Sequence, residues 1–257
     1  MDAAGSTPTK PSVSDLLWHA IVRHTDAPNM LVDAVYRTLW TQIVEGDRQQ
    51  GERLSDVDLA AELGVSRTPV RQALHQLQRT GLVQTSAKRG FHVTIFSEQD
   101  VRELYDMRAI LEVAAVRAAT PHIAEVRLSS ALSLIGELRM LHGEELNTAF
   151  FQSDIELHHD LIAQHSQNRR LAAAIADLRA QLGIFLISGM RAQPMIVDAL
   201  DGHEAILRAL LDRDVERAAA AMEDHIQTSK LNALRAFAQN RRPTIRTMRL
   251  YTNTDRP

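Results

Sequence analysis

Residues 54–90 read LSDVDLAAELGVSRTPVRQALHQLQRTGLVQTSAKRG, two short helical patterns joined by a tight turn and followed by a strand pair with a basic tip. Ser55 stands where a helix N-cap is needed, ahead of Leu59, Ala60 and Leu63 on one helical face. Gly64 stops that helix, because glycine takes the left-handed conformation after a helix end without a Cβ penalty. Ser66 caps a second helix. Pro69 is tolerated in its first turn, where the missing N–H costs no intrahelical bond. Val70, Ala73, Leu74 and Leu77 form the buried stripe of this helix, and Gly81 ends it. This spacing predicts a helix-turn-helix, a motif whose second helix enters the DNA major groove.

Charge supports that reading independently. Between Ser66 and Gly90 lie Arg67, Arg71, Arg79, Lys88 and Arg89, with no Asp or Glu, in a chain whose net charge is -3. A local basic segment of this kind is an electrostatic footprint for phosphates, although a solvated helix face is the usual reason for a charge run. Upstream, Leu31, Val35, Leu39 and Ile43 make a stripe for a helix over 30–45, closed by Gly46, with a turn at Gln50-Gly51. Downstream, 82–85 and 91–95 alternate apolar and polar residues, as two strands of a hairpin do, and 86–90 forms the wing between them.

At 257 residues the chain is long enough for two ordinary domains. Its 45% hydrophobic and 24% charged residues are those of a globular protein. Cysteine is absent, which removes disulfides and thiolate ligands and suits a reducing cytoplasm. No apolar run is long enough for a membrane span, and no signal-peptide core opens the sequence. Residues 1–29 read as an extension, polar and disordered at first, with a short amphipathic arm over 13–24. From Ser97, an N-cap with Asp100 three residues on, the periodicity is helical to about residue 240. Stripes and breakers mark helices over 98–119, 122–142, 145–166, 168–190, 195–211 and 213–239. Residues 97–240 hold 14 Lys/Arg against 21 Asp/Glu, a local charge of -7, so this half is not a second DNA surface. The tail over 241–257, with five Arg against one Asp, reads as a loosely ordered basic segment. The expected fold is therefore mainly α, a winged helix-turn-helix over 30–96 followed by an all-α helical bundle over 97–240.

Asp154, His158, His203 and His225 stand out within that bundle. Asp154 and His158 are one helical turn apart, and His158 shares its face with Phe151, Ile155 and Ile162. His203 interrupts the stripe Leu200, Leu207, Leu210, and His225 lies between Met222 and Ser229. One such histidine alone is more often a satisfied core residue than a ligand. Three of them with a carboxylate are the donor set that holds Zn²⁺, or alternatively Ni²⁺, Mn²⁺ or Fe²⁺, where thiolates are missing.

The segment Met30–Val93, and above all GERLSDVDLAAELGVSRTPVRQAL, resembles the winged helix-turn-helix of GntR-family bacterial transcription regulators. The resemblance implies DNA contacts from Ser66, Arg67, Thr68 and Arg71, and from Arg89 and Gly90 at the wing tip. The chain departs at Val57, where many relatives carry a DNA-contacting arginine. Residues 97–240 resemble the effector-binding FCD domain of the FadR-type branch, whose Asp-x-x-x-His, His and His pattern matches Asp154, His158, His203 and His225. That implies a metal in the bundle and a small carboxylate effector that completes its coordination. Arg108, in LYDMRAILE, matches an arginine of the same cavity, while a surface salt bridge to Glu112 at i+4 is its plainer reading. The family also implies a homodimer on a pseudo-palindromic double-stranded operator, acting as a repressor.

A metalloenzyme and a structural DNA-binding protein are the alternatives. The first lacks a general base, phosphate loop or nucleophile elbow at recognisable spacing, and the second has no use for a buried Asp/His set.

Overall fold

The computed structural model describes residues 30–86, 90–189 and 193–240. Helix α1, Met30–Glu45, buries Val32, Val35, Tyr36, Leu39, Trp40, Ile43 and Val44. Leu31 is exposed, contrary to the expected stripe. A run of i+4 steps drifts around a 3.6-residue helix, and carried back from Ile43 to the first turn it reaches the solvent side.

Strand β1, Arg53–Leu54, is followed by α2, Asp56–Glu62, α3, Arg67–Arg79, and strands β2, Val83–Ser86, and β3, Gly90–Val93. The Ser55 hydroxyl accepts the Asp58 N–H at 3.3 Å, as a cap should. Ser66 occupies the cap position of α3 but makes no side-chain cap bond. The sheet order is β1-β3-β2, antiparallel, with Val83 opposite Val93 and Arg53 opposite His92. The sequence gives no sign of β1, because two residues are too few to show alternation. Gly51, at φ +82°, turns the chain so that its N–H bonds the Val93 carbonyl at 2.9 Å and extends the sheet.

The second half is helical: α4, Glu98–Ala119; α5, Glu125–Leu138; α6, Gly143–Ile155; α7, Arg169–Gly189; α8, Gln193–Leu211; and α9, Val215–Asn240. At the start of α4, Ser97 and Asp100 form a full reciprocal capping box. Helix α5 begins three residues later than expected, after a turn closed by the His122 N–H on the Ala119 carbonyl at 2.8 Å. The expected single helix over 145–166 is composite. α6 widens into a π-helix at Glu156–Ala163 and tightens into a 3-10 turn at Gln164–Ser166. Such widenings cluster at functional sites, and this one carries His158.

Helix α9 packs on α4 and α8, while α7 lies between the bundle and α1. The Trp40 Nε1 donates to the Ala180 carbonyl at 3.3 Å, and a Cβ on Gly183 would stand 3.0 Å from the Trp40 ring. Phe96 meets Phe185 edge to face with centroids 5.3 Å apart. One helix, α7, thus touches both α1 and the segment that leads from β3 into α4. Among the described residues no helix is long and apolar enough to cross a membrane.

Candidate metal centre

Helix α3 turns Val70, Ala73, Leu74 and Leu77 inward, and leaves Ser66, Arg67, Thr68 and Arg71 exposed on one outer face. Asp56 at the start of α2 holds the two arginines in register. Its Oδ2 lies 2.9 Å from Arg67 Nη2 and 3.9 Å from Arg71 Nε. Gly90 is exposed at the end of the wing, with φ +73°. Arg89 lies outside the described residues, as do the arm over 13–24 and the tail from 241.

In the bundle the structure brings Asp154, His158, His203 and His225 together from α6, its π-helical continuation, α8 and α9. All four are buried, and their ligand atoms lie within 4.8 Å of one another. His158 Nε2 is 3.3 Å from His203 Nε2 and 3.6 Å from Asp154 Oδ1, and His203 Nε2 is 3.5 Å from that same oxygen. Donors bonded to one ion at about 2.1 Å in a tetrahedron stand roughly 3.4 Å apart, so these three edges fit a metal polyhedron. The His203 Nδ1 and both ring nitrogens of His225 are buried without a hydrogen-bond partner. Orphaned buried polar atoms are rare because each costs its full desolvation. A cation bound between the rings would satisfy those that face it.

Two residues that were not singled out for the site support it. Glu112 is fully buried on α4, with Oε2 2.5 Å from His158 Nδ1 and Oε1 accepting from Arg108 Nε at 2.8 Å. A carboxylate only accepts, so His158 Nδ1 carries the hydrogen and Nε2 presents its lone pair to the cluster. This is how a carboxylate behind a histidine orients a metal ligand. Arg179 on α7 pairs with Asp154 Oδ2, leaving Oδ1 to face the histidines. The signal for Arg179 is legible: it interrupts the apolar stripe Ile175, Leu178, Leu182, as His203 does in its own stripe. Glu112 appeared in the sequence only as a plain partner for Arg108.

The electrostatics keep the ligands ready. Burial pushes the Asp154 carboxyl up, but Arg179, then His158 and His203, more than reverse this and hold it well below the usual range. Burial raises Glu112 as well, and Arg108 and His158 outweigh it, so Glu112 stays ionised. Burial lowers His158 to about 4, with Glu112 opposing the shift. Burial, then the neighbouring His203, pushes His225 well down. At neutral pH both rings are neutral donors, the state a metal requires.

A cavity opens beside the cluster, lined by Tyr105, Arg108, Phe150, Asp154, Phe185 and His225 among others. It holds about 40 Å³ for the centres of water-sized spheres, which is room for a few waters. His159 and His165 stay outside the cluster, each tied to Asp160.

The His158 shift sets a pH dependence. Below about pH 6.5 the unfolded chain takes a proton at His158 that the folded chain refuses until about pH 4, so stability is complete above that window and falls as pH drops through it. At 1.36 kcal/mol per unit the loss is about 3 kcal/mol by pH 4. Melting curves of metal-free protein from pH 7.5 to 4.5 should show a falling Tm, and a His158→Gln variant should be flatter. Equal slopes would contradict the neutral, buried assignment.

Comparison with known proteins places the geometry in context. Residues 31–93 match the family model described as "Bacterial regulatory proteins, gntR family", and residues 103–228 match the FCD domain. The chain is 32% identical over 216 residues to the HTH-type transcriptional regulator BphR of Paraburkholderia xenovorans, covering 80% of this chain and 86% of that protein. It is 28% identical to the HTH-type transcriptional repressor RspR of Escherichia coli over 75% of this chain and 84% of that one. In fold it is similar to Escherichia coli McbR/YncC, with a TM-score of 0.63 at 22% identity, covering 82% of this chain and 98% of that one.

Proposed function

This chain belongs to the GntR family of bacterial regulatory proteins and carries an FCD domain, and we propose that a small carboxylate, bound at a metal held by Asp154, His158, His203 and His225, sets its affinity for an operator. As a member it is a DNA-binding transcription regulator rather than an enzyme. The observation that carries the effector reading is the buried convergence of one carboxylate and three imidazoles with orphaned ring nitrogens beside a cavity. We take 30–96 as the DNA-binding unit and 97–240 as the sensing unit, with Ser66, Arg67, Thr68, Arg71, Arg89 and Gly90 facing DNA. The metal is zinc in this reading, since nitrogen and oxygen donors at tetrahedral spacing suit it. The sign is repression, as in the name of the Escherichia coli relative RspR.

A bound divalent cation supplies Lewis-acid coordination for a carboxylate oxygen. The chain's own groups do the rest. Glu112 fixes the His158 tautomer, Arg179 turns Asp154 so that one oxygen faces inward, and Arg108 offers a planar donor to the carboxylate. Phe150 and Phe185 give the cavity apolar walls. Helix α7 carries the response: Arg179 holds a metal ligand, the adjacent Ala180 carbonyl holds Trp40 of α1, and Phe185 touches both the cavity and Phe96. A ligand that binds one placement of α7 better than another shifts the DNA-binding half by that difference, typically 1–3 kcal/mol.

The regulator acts as a homodimer on a pseudo-palindromic site, its half-sites about 34 Å apart. Met107 and Ile110 are exposed along α4, with Ala114 in the same stripe, and suit a self-complementary two-fold contact. The test is titration of promoter DNA from the chain's own operon, with zinc and a panel of organic acids. One acid should weaken specific binding about 5- to 150-fold, and only in metal-loaded protein. In Trp40→Phe, which keeps an aromatic side chain but loses the bond to Ala180, that shift should shrink several-fold while acid binding persists. DNA affinity indifferent to every acid would overturn the effector reading, and an unchanged shift in Trp40→Phe would remove α7 from it.

A further inference from the structure

The position of Arg108 relative to the cluster has an unusual consequence. Its Nε is anchored to Glu112 Oε1 at 2.8 Å, while its Nη2 donates to His158 Nε2 at 3.2 Å. His158 has one lone pair on that nitrogen, because its other nitrogen carries the hydrogen given to Glu112. The same Nε2 is one corner of the polyhedron formed with His203 Nε2 and Asp154 Oδ1. The lone pair faces the Arg108 N–H and His203 Nε2 in the metal-free protein, and a lone pair given to a cation is no longer available to the guanidinium.

We infer that Arg108 and the metal compete for His158 Nε2, so that metal entry releases an Arg108 N–H into the cavity and the anion site exists only in loaded protein. This rests on the metal reading given above. Glu112 is bonded to both partners and holds Arg108 in place, so the freed Nη2 stays at the cavity that Arg108 lines. Charge points the same way. The ionised buried groups are Arg108, Arg179, Glu112 and Asp154, two of each sign, so the metal-free cluster is balanced and an entering anion would be uncompensated. A divalent cation leaves two positive charges in excess, which an anion then offsets. Metal comes first and anion second, and Arg108 is the group that enforces the order.

Arg108→Lys separates competition from charge. Lysine keeps the positive charge beside Glu112 but has no planar fork to reach Glu112 and His158 together. Zinc affinity, read by competition with a chromophoric chelator, should tighten about tenfold or more, the value of one released hydrogen bond to a charged group. Acetate and malonate, the probe anions, should stabilise wild-type protein only when zinc is bound, and Arg108→Lys should need at least about tenfold more of either. Arg108→Gln is the second variant if the lysine does not fold, with the same two directions expected. Zinc affinity unchanged or weakened in the folded variant would overturn the inference, as would anion binding to metal-free wild type. Failure of wild-type protein to bind zinc at all would instead sink the metal reading itself.

Discussion

Replacing His203 and His225 together by alanine is expected to take metal content from about one ion per chain to none after dialysis, because only two of four donors remain. An ion held by these four donors would bind folded protein alone, since the unfolded chain scatters them over 72 residues from Asp154 to His225. Loading therefore stabilises the fold, by about 4 kcal/mol when free metal exceeds its dissociation constant a thousandfold. In a chain of this size that corresponds to roughly 10 °C in Tm, which a chelator should remove. The double variant should melt at one temperature with or without chelator. Removing the two rings also removes buried nitrogens without partners, so the metal-free variant need not fall far below metal-free wild type. Metal content that survives both substitutions would show that the donors lie elsewhere.

The route to this centre was partly written in the sequence. His203 and His225 interrupt apolar helical stripes, and a polar residue at an inward position is informative because burying it must be compensated. What periodicity could not express was convergence. The i,i+4 spacing of Asp154 and His158 makes them neighbours on one regular helix, yet the backbone between them passes from α-helix into π-helix, a change that leaves no mark in residue pattern. Glu112 was hidden for another reason. Its sequence neighbour Arg108 four residues away offered a complete and ordinary explanation, whereas its second oxygen reaches His158, 46 residues on. The DNA-facing half was more legible because caps, glycines and stripe all act locally, through bonds only a few residues long. Strand β1 is hidden there because its pairing with β3 is long-range, and the contact of Trp40 with Ala180 is hidden for the same reason.

Replacing Arg67 and Arg71 together by alanine is expected to lower operator affinity about a hundredfold or more while leaving the fold intact. Both side chains are 58% exposed, and neither belongs to the buried stripe that seats α3. Surface substitutions of that kind change stability by only about 0.5 kcal/mol, so melting curves should superimpose. On DNA each arginine that reads a guanine edge contributes about 1–3 kcal/mol, and each that neutralises a phosphate adds nearly one to the slope of log affinity against log salt. The two roles can be separated within one experiment. Loss confined to the operator, with non-specific binding unchanged, marks base reading, whereas a uniform loss with a flatter salt dependence marks phosphate contact. Asp56 sharpens the case, because its carboxylate bonds the Arg67 guanidinium, with Arg71 Nε 3.9 Å away, before DNA arrives and so limits the side-chain freedom lost on binding. Asp56→Asn should then cost affinity even though it removes a negative charge from a DNA-facing surface, a direction opposite to simple electrostatics. If the double arginine variant binds operator as tightly as wild type, α3 is not the helix that enters the groove.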